Sequence, residues 1–135
     1  MPPVTYRSNL KITVDDFIDL MKRSTLAERR PVDDPARVQK MLDHANVMVT
    51  AWAGDQLVGI SRAVSDFSFC CYLSDLAVDE KFQHSGIGKQ LVRLTHEAAG
   101  METQLILLAA PKATTYYPKI GMKQFPHCFV VDRKN

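Results

Sequence analysis

The stretch from Ser74 to Leu91, SDLAVDEKFQHSGIGKQL, decides the fold, because an apolar strand ends in a glycine-bearing loop that opens directly into an amphipathic helix. Residues 83–88 would place a run of backbone N–H groups at the N-terminus of this helix, where the first donors lack intrahelical partners and the macrodipole is positive. Gly86 and Gly88 let a ligand approach the backbone closely, since no Cβ intervenes. The loop therefore suits a diphosphate.

Two other phosphate-binding patterns do not fit these residues. A P-loop needs a glycine before, and a Ser or Thr after, its Gly-Lys pair, but Gln83 and Gln90 stand at those positions. A dinucleotide-binding fingerprint needs a third small residue where Leu91 lies, and a strand-first order that is not expected here. The loop is therefore predicted to belong to a different class of diphosphate site.

Size and charge limit the function classes. With 135 residues the chain, residues 1–135, is about one domain, so we expect one active site per chain. A net charge of +2, without a basic stretch interleaved with aromatic residues, gives no support to nucleic-acid binding. No apolar run is long enough for a membrane span, and residues 1–9 lack a signal-peptide core. We expect a soluble, cytoplasmic protein with no membrane or nucleic-acid partner.

The cysteines and histidines suggest neither a disulfide framework nor a metal site. Cys70, Cys71 and Cys128 are an odd count, and the adjacent pair would point to opposite faces of a strand. We therefore expect reduced, buried thiols. The four histidines are scattered and no metal-ligand spacing occurs, so we expect no metal ion.

Two helices are expected ahead of the first strand. Thr13 followed by Asp16 resembles a capping box, which predicts a first helix that ends near Ser24. Asp34 as the N-cap and Pro35 at the first helical position predict a second helix. Each of these segments carries apolar residues on one face.

Three runs then alternate with turns and predict an antiparallel meander, at residues 47–52, 56–64 and 69–78. The helix that follows Gly86 is expected to stop at Gly100. Residues 105–110 are apolar without alternation, which predicts a central strand covered on both faces. A strand, a helix and a strand in this order form a right-handed crossover with parallel pairing.

The remaining segment is expected to complete the sheet. Pro111 restarts the chain as a short helix that ends by Gly121. After a turn near Pro126, residues 125–131 are predicted to form the closing strand.

Two motifs carry a resemblance to a known family. Residues 83–88 follow the pattern Gln or Arg, two residues, Gly, one residue, then Gly or Ala. This pattern resembles motif A of the GNAT N-acetyltransferase superfamily. Tyr117 through Met122 resemble the family's later motif, Tyr, three residues and Gly-Phe, with Met122 in place of Phe. Ala110 departs from the pattern, because many members carry an asparagine seven residues before the tyrosine.

The order of elements resembles the GNAT fold from end to end. It implies a single-domain α/β (α+β) three-layer sandwich, whose mixed and mostly antiparallel sheet contains a parallel strand–helix–strand crossover at the cofactor site. The resemblance implies acetyl-CoA as the cofactor, with its diphosphate on the loop and its pantetheine arm against the last strand of the meander. The implied cofactor-binding residues are Leu76, Ala77, Val78, Gln83, His84, Ser85, Gly86, Ile87, Gly88 and Lys89.

Two catalytic residues are predicted. The motif position of Tyr117 implies that its hydroxyl protonates the departing sulfur, with packing alone as the simpler interpretation and Tyr116 as the substitute donor. Asp75 is the first candidate for the base, because it precedes the cofactor-pairing residues on the strand that lines the cleft. A solvated carboxylate, with water bridging from a backbone carbonyl to take the proton, is the competing interpretation.

The resemblance thus implies an N-acetyltransferase that passes acetyl from acetyl-CoA directly to a primary amine of a small molecule or peptide. A non-catalytic acyl-CoA-binding regulatory module and a nucleotide-binding regulatory domain are the alternatives. The first helices and the turn at Ser65–Ser68 are expected to form the acceptor pocket. A homodimer is a further expectation, whereas the sequence does not identify the acceptor.

Overall fold

Five strands form one mixed sheet in the computed structural model, which describes residues 3–134. The strands are β1 (Val4–Ser8), β2 (Val47–Ala53), β3 (Gln56–Ser65), β4 (Cys70–Val78) and β5 (Gln104–Leu107). Their order across the sheet is the order along the chain. β1 through β4 pair antiparallel, and β5 pairs parallel with β4. The predicted fold class, a mostly antiparallel sheet with one parallel crossover, is confirmed.

The helices are α1 (Val14–Arg23), α2 (Pro35–His44), α3 (Ile87–Ala99) and α4 (Tyr116–Lys119), with short 3₁₀ turns at Leu26–Arg29, Glu80–Phe82 and Pro111–Ala113. Both predicted caps are present. Thr13 Oγ1 accepts a hydrogen bond of 3.1 Å from the amide of Asp16, and Asp34 Oδ1 accepts one of 3.2 Å from the amide of Arg37. Between residues 3 and 134, no helix is long and apolar enough to cross a bilayer.

The helices cover the sheet from both sides and make three layers. α1 and α2 pack on one face, in a core that contains Phe17, Leu20, Met21, Val38, Met48, Leu57, Ile60 and Ala77. α3 packs on the other face, against Val49, Ala51, Ala53 and Val58. Gly59 lets α3 approach the sheet, because a Cβ at this position would lie 3.1 Å from Leu91 Cδ1 and 3.2 Å from Ile87 Cγ2.

Two sequence predictions about strands are wrong, and one strand was not predicted. The run at 105–110 forms β5 only over Gln104–Leu107, and β5 is an edge strand of the described sheet rather than a central one. Residues 125–131 form no strand, and Pro126 begins a turn there. β1 was not predicted at all. Apolar composition alone does not make a strand central, because a central strand needs a neighbouring strand on each side. Among residues 3–134 β5 has only β4 beside it, and Ile106 is 48% exposed.

The expectation for the cysteines is partly wrong. The adjacent pair does point to opposite faces, since Cys70 is exposed and Cys71 is buried. Cys128 is exposed as well, so only one of the three thiols lies in the core. Burial raises the pKa of the Cys71 thiol.

A single carboxylate holds the turn between β3 and β4. Asp66 Oδ1 accepts hydrogen bonds from the backbone amides of Ser68, Phe69 and Cys70, at 2.9, 2.8 and 3.1 Å. These amide bonds favour the ionised form and lower the pKa of Asp66 from 3.8 to about 2. The predicted turn at 65–68 is therefore an Asp-capped turn.

The Asp66 turn predicts an acid-dependent loss of stability. Because the folded-state pKa lies below the unfolded value of 3.8, the stabilisation is complete above that value and is lost as the pH falls toward 2. We expect wild type to melt at a higher temperature than Asp66→Asn at pH 6, with the difference shrinking toward pH 2.

Thermal melts across this range test the prediction. Asp55→Asn, in the exposed turn between β2 and β3, is the matched control and should melt like wild type at each pH. An Asp66→Asn deficit that stays constant from pH 6 to pH 2 would contradict it.

Candidate active site

β4 and β5 stop pairing partway along β4, and we call the space between them beyond this point the cleft. Their parallel ladder runs from Cys70 and Gln104 to Leu73 and Leu107, and stops there. In the described sheet, β4 continues to Val78 with β3 as its only neighbour. Leu76–Val78 lie on the part of β4 beyond the end of this ladder.

A β-bulge at Ser74 sets the direction of the side chains in this cleft. In the β3–β4 ladder Arg62 faces Asp75, but the next residue, Ala63, faces Leu73, which leaves Ser74 without an opposing residue. The bulge shifts the alternation of side chains by one position. Leu73 therefore packs on the α3 face, whereas Asp75 points to the face covered by α1 and α2.

Asp75 is fully buried and lies between two guanidinium groups. Its side chain is 0% exposed, and its two oxygens accept charge-assisted hydrogen bonds from Arg30 Nε and Arg62 Nε. Arg62, 7% exposed, also donates to Ser74 Oγ at 3.1 Å and to the backbone oxygen of Met41 in α2 at 3.3 Å. These three charged residues form what we call the Asp75 triad.

The triad affects the role predicted for Asp75. A base needs an oxygen that is free to accept a proton, and here each oxygen is already bonded to a guanidinium N–H. A proton taken up by Asp75 would disrupt one of these two bonds. The assignment of Asp75 as the base stays a prediction, and the structure gives this residue a clear second role as a buried counter-ion.

The loop before α3 presents unpaired backbone amides. Gly86 has φ +84° and His84 has φ +65°, so both adopt the left-handed conformation that turns the chain into the helix. The N-cap Gly86 has no side chain to cap α3, and the amide of Gln90 donates to Gly86 O at 3.1 Å to close the first turn. Within the described chain, the amides of residues 84–89 have no hydrogen-bond partner. They form a ready site for an anion.

Two neighbouring contacts hold this loop in place. Gln83 Nε2 donates to the backbone oxygen of Val78 at 3.0 Å, which ties the loop to the end of β4. Asp79 accepts from the amide of Lys81 at 2.8 Å and from Arg23 Nη1 at 2.5 Å, which joins the loop to α1. The predicted cofactor residues on β4 and on the loop are thus brought together at one edge of the cleft.

The two tyrosines lie side by side, with rings 5.2 Å apart and nearly perpendicular. The hydroxyl of Tyr116 lies against Gly88, so closely that a Cβ on Gly88 would collide with it. Burial raises the pKa of Tyr116. Burial and Tyr116 raise the pKa of Tyr117, while the positive charge of Arg30 lowers it. Tyr116 thus contacts the loop, whereas the positive charge of Arg30 acts on Tyr117.

A basic groove runs along the outer side of the loop and α3. Its volume is about 450 Å³, and it is lined by Gly86, Lys89, Gln90, Val92, Arg93 and Ile120. Arg93 is engaged with Gln90 Oε1 at 3.0 Å and with Glu97. The groove continues from the unpaired amides and offers positive charge for further phosphate groups.

Sequence reasoning missed the two arginines of the triad. Arg30 lies in the polar link between the two N-terminal helices, and neither arginine is among the predicted site residues. A signal for Arg62 was present, because a charged residue within the apolar strand β3 requires a buried partner, and Asp75 is the charged residue in the adjacent strand. No comparable signal exists for Arg30, which reaches Asp75 from a loop.

Known proteins with related sequences point to one family. A family model described as an acetyltransferase (GNAT) domain matches residues 24–132. An uncharacterised, ycf52-like N-acetyltransferase of Prochlorococcus marinus is 29% identical over 115 residues. This match covers 78% of the chain and 62% of the relative, so the chain spans less than two thirds of that protein's length.

Solved structures share the fold over almost the whole chain. A GNAT-family acetyltransferase from Streptococcus pneumoniae is 22% identical, with 98% of each chain covered and a TM-score of 0.73. The aminoglycoside N-acetyltransferase AAC(6')-Iy in complex with CoA is 17% identical, with 100% of this chain and 97% of that chain covered and a TM-score of 0.74. At these identities the likeness shows the fold alone.

The Asp75 triad predicts a large stability effect. Asp75→Asn removes the counter-ion of two guanidiniums, one of them buried, so we expect the free energy of unfolding to fall by about 3–5 kcal/mol. Denaturant unfolding curves measure this loss. Asp19→Asn removes the 65% exposed partner of Arg23 and is the control, expected to cost less than about 1 kcal/mol. Equal losses in the two variants would contradict the prediction.

Proposed function

Because the chain belongs to the GNAT acetyltransferase family, we propose that it transfers the acetyl group of acetyl-CoA directly to a primary amine of a small molecule or peptide. The observation that carries this proposal is the run of unpaired amides at residues 84–89, which opens onto the cleft between β4 and β5. A CoA complex of AAC(6')-Iy, which has the same fold, supports the choice of cofactor.

The residues present fit the diphosphate of CoA. The six amides at 84–89 donate toward an anion, and the positive end of the α3 macrodipole favours it further. A Cβ added to Gly86 would meet nothing within 4 Å, so the space above this residue is open to a ligand. Lys89 lies in the adjoining groove and would neutralise part of the phosphate charge.

The pantetheine arm would bind along β4. Leu76, Ala77 and Val78 pair with β3 on one side only, so their other edge can hydrogen-bond an amide-containing chain as an added strand would. The oxygen of Val78 accepts from the Gln83 side chain, which leaves its second lone pair for a ligand. This placement directs the thioester toward Ser74 and the Asp75 triad.

Acetyl-CoA supplies an activated acyl group on a sulfur leaving group. The transfer forms an N–C bond to the amine and breaks the C–S bond. The ammonium form of the acceptor loses two protons in all: one goes to solvent, and the other replaces the proton that the departing sulfur takes up. An amine of ordinary pKa ~10.4 is neutral in only about one molecule in 10³ at pH 7, which costs roughly 4–5 kcal/mol unless the proton is removed. Removal of the amine proton therefore matters more than protonation of sulfur.

Tyr117 is the proposed donor to sulfur. Burial raises its pKa above the ordinary value of 10.0, so its hydroxyl keeps a proton to donate throughout the neutral range. For the amine proton we propose transfer through water to solvent, because both oxygens of Asp75 are bonded to arginines. Direct proton transfer to Asp75 is the competing proposal.

A non-catalytic acyl-CoA-binding module is the second candidate. Ala110 in place of the family's usual asparagine, and the engagement of Asp75 in ion pairs, favour it. Incubation with acetyl-CoA, a thiol reagent and a broad amine panel separates the two functions. Binding of CoA without any amine-dependent thiol release would favour the module, whereas better thermal protection by ATP than by CoA would favour a nucleotide-binding domain.

Gly86→Glu is expected to abolish CoA binding, because it places bulk and negative charge at the diphosphate site. We expect calorimetry to show an affinity at least about 100-fold weaker, equivalent to the loss of one or two charge-assisted hydrogen bonds. Gly54→Glu is the control, since Gly54 also has a positive φ and open space but lies in the β2–β3 turn. Equal weakening by both substitutions would place CoA elsewhere.

Tyr117→Phe is expected to lower kcat by about 10²-fold, at the low end of what general acid catalysis contributes, with CoA affinity nearly intact. Steady-state kinetics and calorimetry measure the two quantities. Tyr116→Phe is the paired variant, and we expect it to change kcat less because its hydroxyl lies against the loop rather than toward the triad. A fully active Tyr117→Phe enzyme would rule out the donor role.

A further inference from the structure

We propose that the acceptor carries a carboxylate close to its amine, and that Arg30 binds this carboxylate. The proposal rests on the acetyl transfer proposed above and names the class of acceptor for the same site. An amino acid is the simplest molecule with this chemistry.

The first observation is an unbalanced charge in the Asp75 triad. Two guanidiniums share one carboxylate, and among residues 3–134 no second carboxylate bonds to either arginine. The triad therefore carries a net charge of +1 in a largely buried position. The other partly buried arginine of this region, Arg23, is in contrast paired with both Asp19 and Asp79. Since buried charges are normally paired, the surplus charge calls for an anion.

The second observation is that Arg30 has N–H groups without an acceptor among residues 3–134. A guanidinium carries five N–H groups, and Arg30 donates three of them, to Asp75, to the backbone oxygen of Arg29 at 2.8 Å and to the backbone oxygen of Ser74 at 2.7 Å. One N–H on each Nη nitrogen is left. The Arg30 side chain is 20% exposed, so a ligand can reach it, whereas Arg62 is enclosed.

The third observation is the position of Arg30 in the cleft. It bonds to Ser74, the bulge residue at the point where β4 leaves β5, two residues before Leu76. Its charge also acts on Tyr117, the proposed proton donor. A carboxylate on Arg30 would therefore lie beside the position where the amine must meet the thioester, so the two groups belong to one small acceptor.

Two other uses of the surplus charge give different results. If the charge served only the departing thiolate, its removal would slow the reaction with every amine by the same factor. If the acceptor were polycationic, the charge would oppose its binding, because like charges repel at short range. Only for an anionic acceptor does removal of the Arg30 charge weaken the reaction with the charged acceptor more than the reaction with its neutral analogue.

The experiment compares amino acids with their carboxamides, which differ in charge and little in shape. With the wild-type enzyme and acetyl-CoA, we expect kcat/KM for the best amino acid to exceed that for its carboxamide by about 10- to 100-fold, as expected for a charge-assisted hydrogen bond. Arg30→Gln should reduce this ratio to less than about 3, mainly by raising KM for the amino acid.

Arg29→Gln is the matched control, because it removes the same charge from the neighbouring exposed residue. It should leave the ratio at its wild-type value. Melting curves establish that each variant is folded, and the wild-type ratio needs no variant at all.

Three outcomes overturn the proposal. A wild-type ratio near 1, or a preference for carboxamides or polyamines, would contradict a carboxylate-bearing acceptor without contradicting acetyl transfer itself. If Arg30→Gln lowers kcat/KM equally for amino acids and their carboxamides, the Arg30 charge acts on the departing thiolate and not on the acceptor. CoA binding without turnover of any acceptor removes the proposed transferase activity, and the acceptor assignment with it.

Discussion

A carboxylate that is withdrawn from water must be paired, and Asp75 is paired twice. Desolvation of each ion costs several kcal/mol, and only well-placed partners offset it. The partners come from separate parts of the chain, Arg30 from the loop after α1 and Arg62 from β3. Arg62 extends the network to α2 through the backbone oxygen of Met41. One buried charge therefore joins four segments around the cleft.

The bulge at Ser74 makes this pairing possible. Without the extra residue, Asp75 would point toward the apolar α3 face, away from Arg30 and Arg62. The same residue lies where the β4–β5 ladder ends, so the feature that orients the triad also marks the start of the cleft. Arg23 and Asp79 hold the other end of β4 against α1, immediately before the phosphate loop. Two sets of ion pairs thus position the cleft and the loop. The Asp75 triad lies at one end of the β4 segment that does not pair with β5, and the Arg23–Asp79 pair lies at the other.

Predictability from sequence varied with the range of the interactions concerned. The caps of α1 and α2 were predicted correctly, as were the meander and the glycine that ends α3, because each depends on residues a few positions apart. β5 was placed in the centre and residues 125–131 in a strand, because apolar composition does not reveal whether a neighbouring strand is present. Gln83 ties the loop before α3 to the end of β4 through its hydrogen bond to Val78, whereas Arg30 and Arg62 were not among the predicted site residues.

The sequence by itself determined the loop and its helix. Two glycines, an uncapped helix start and the periodicity of α3 are local properties, governed by backbone sterics and hydrogen bonds within one or two turns. Only the tertiary structure decided the strand register that places Arg62 opposite Asp75. It also decided the contact between Asp75 and Arg30, which are 45 residues apart in the chain. The physical reason is that the Coulomb energy of an ion pair in a low-dielectric interior depends on the distance between the two charges in space. The number of residues between them in the sequence does not give that distance.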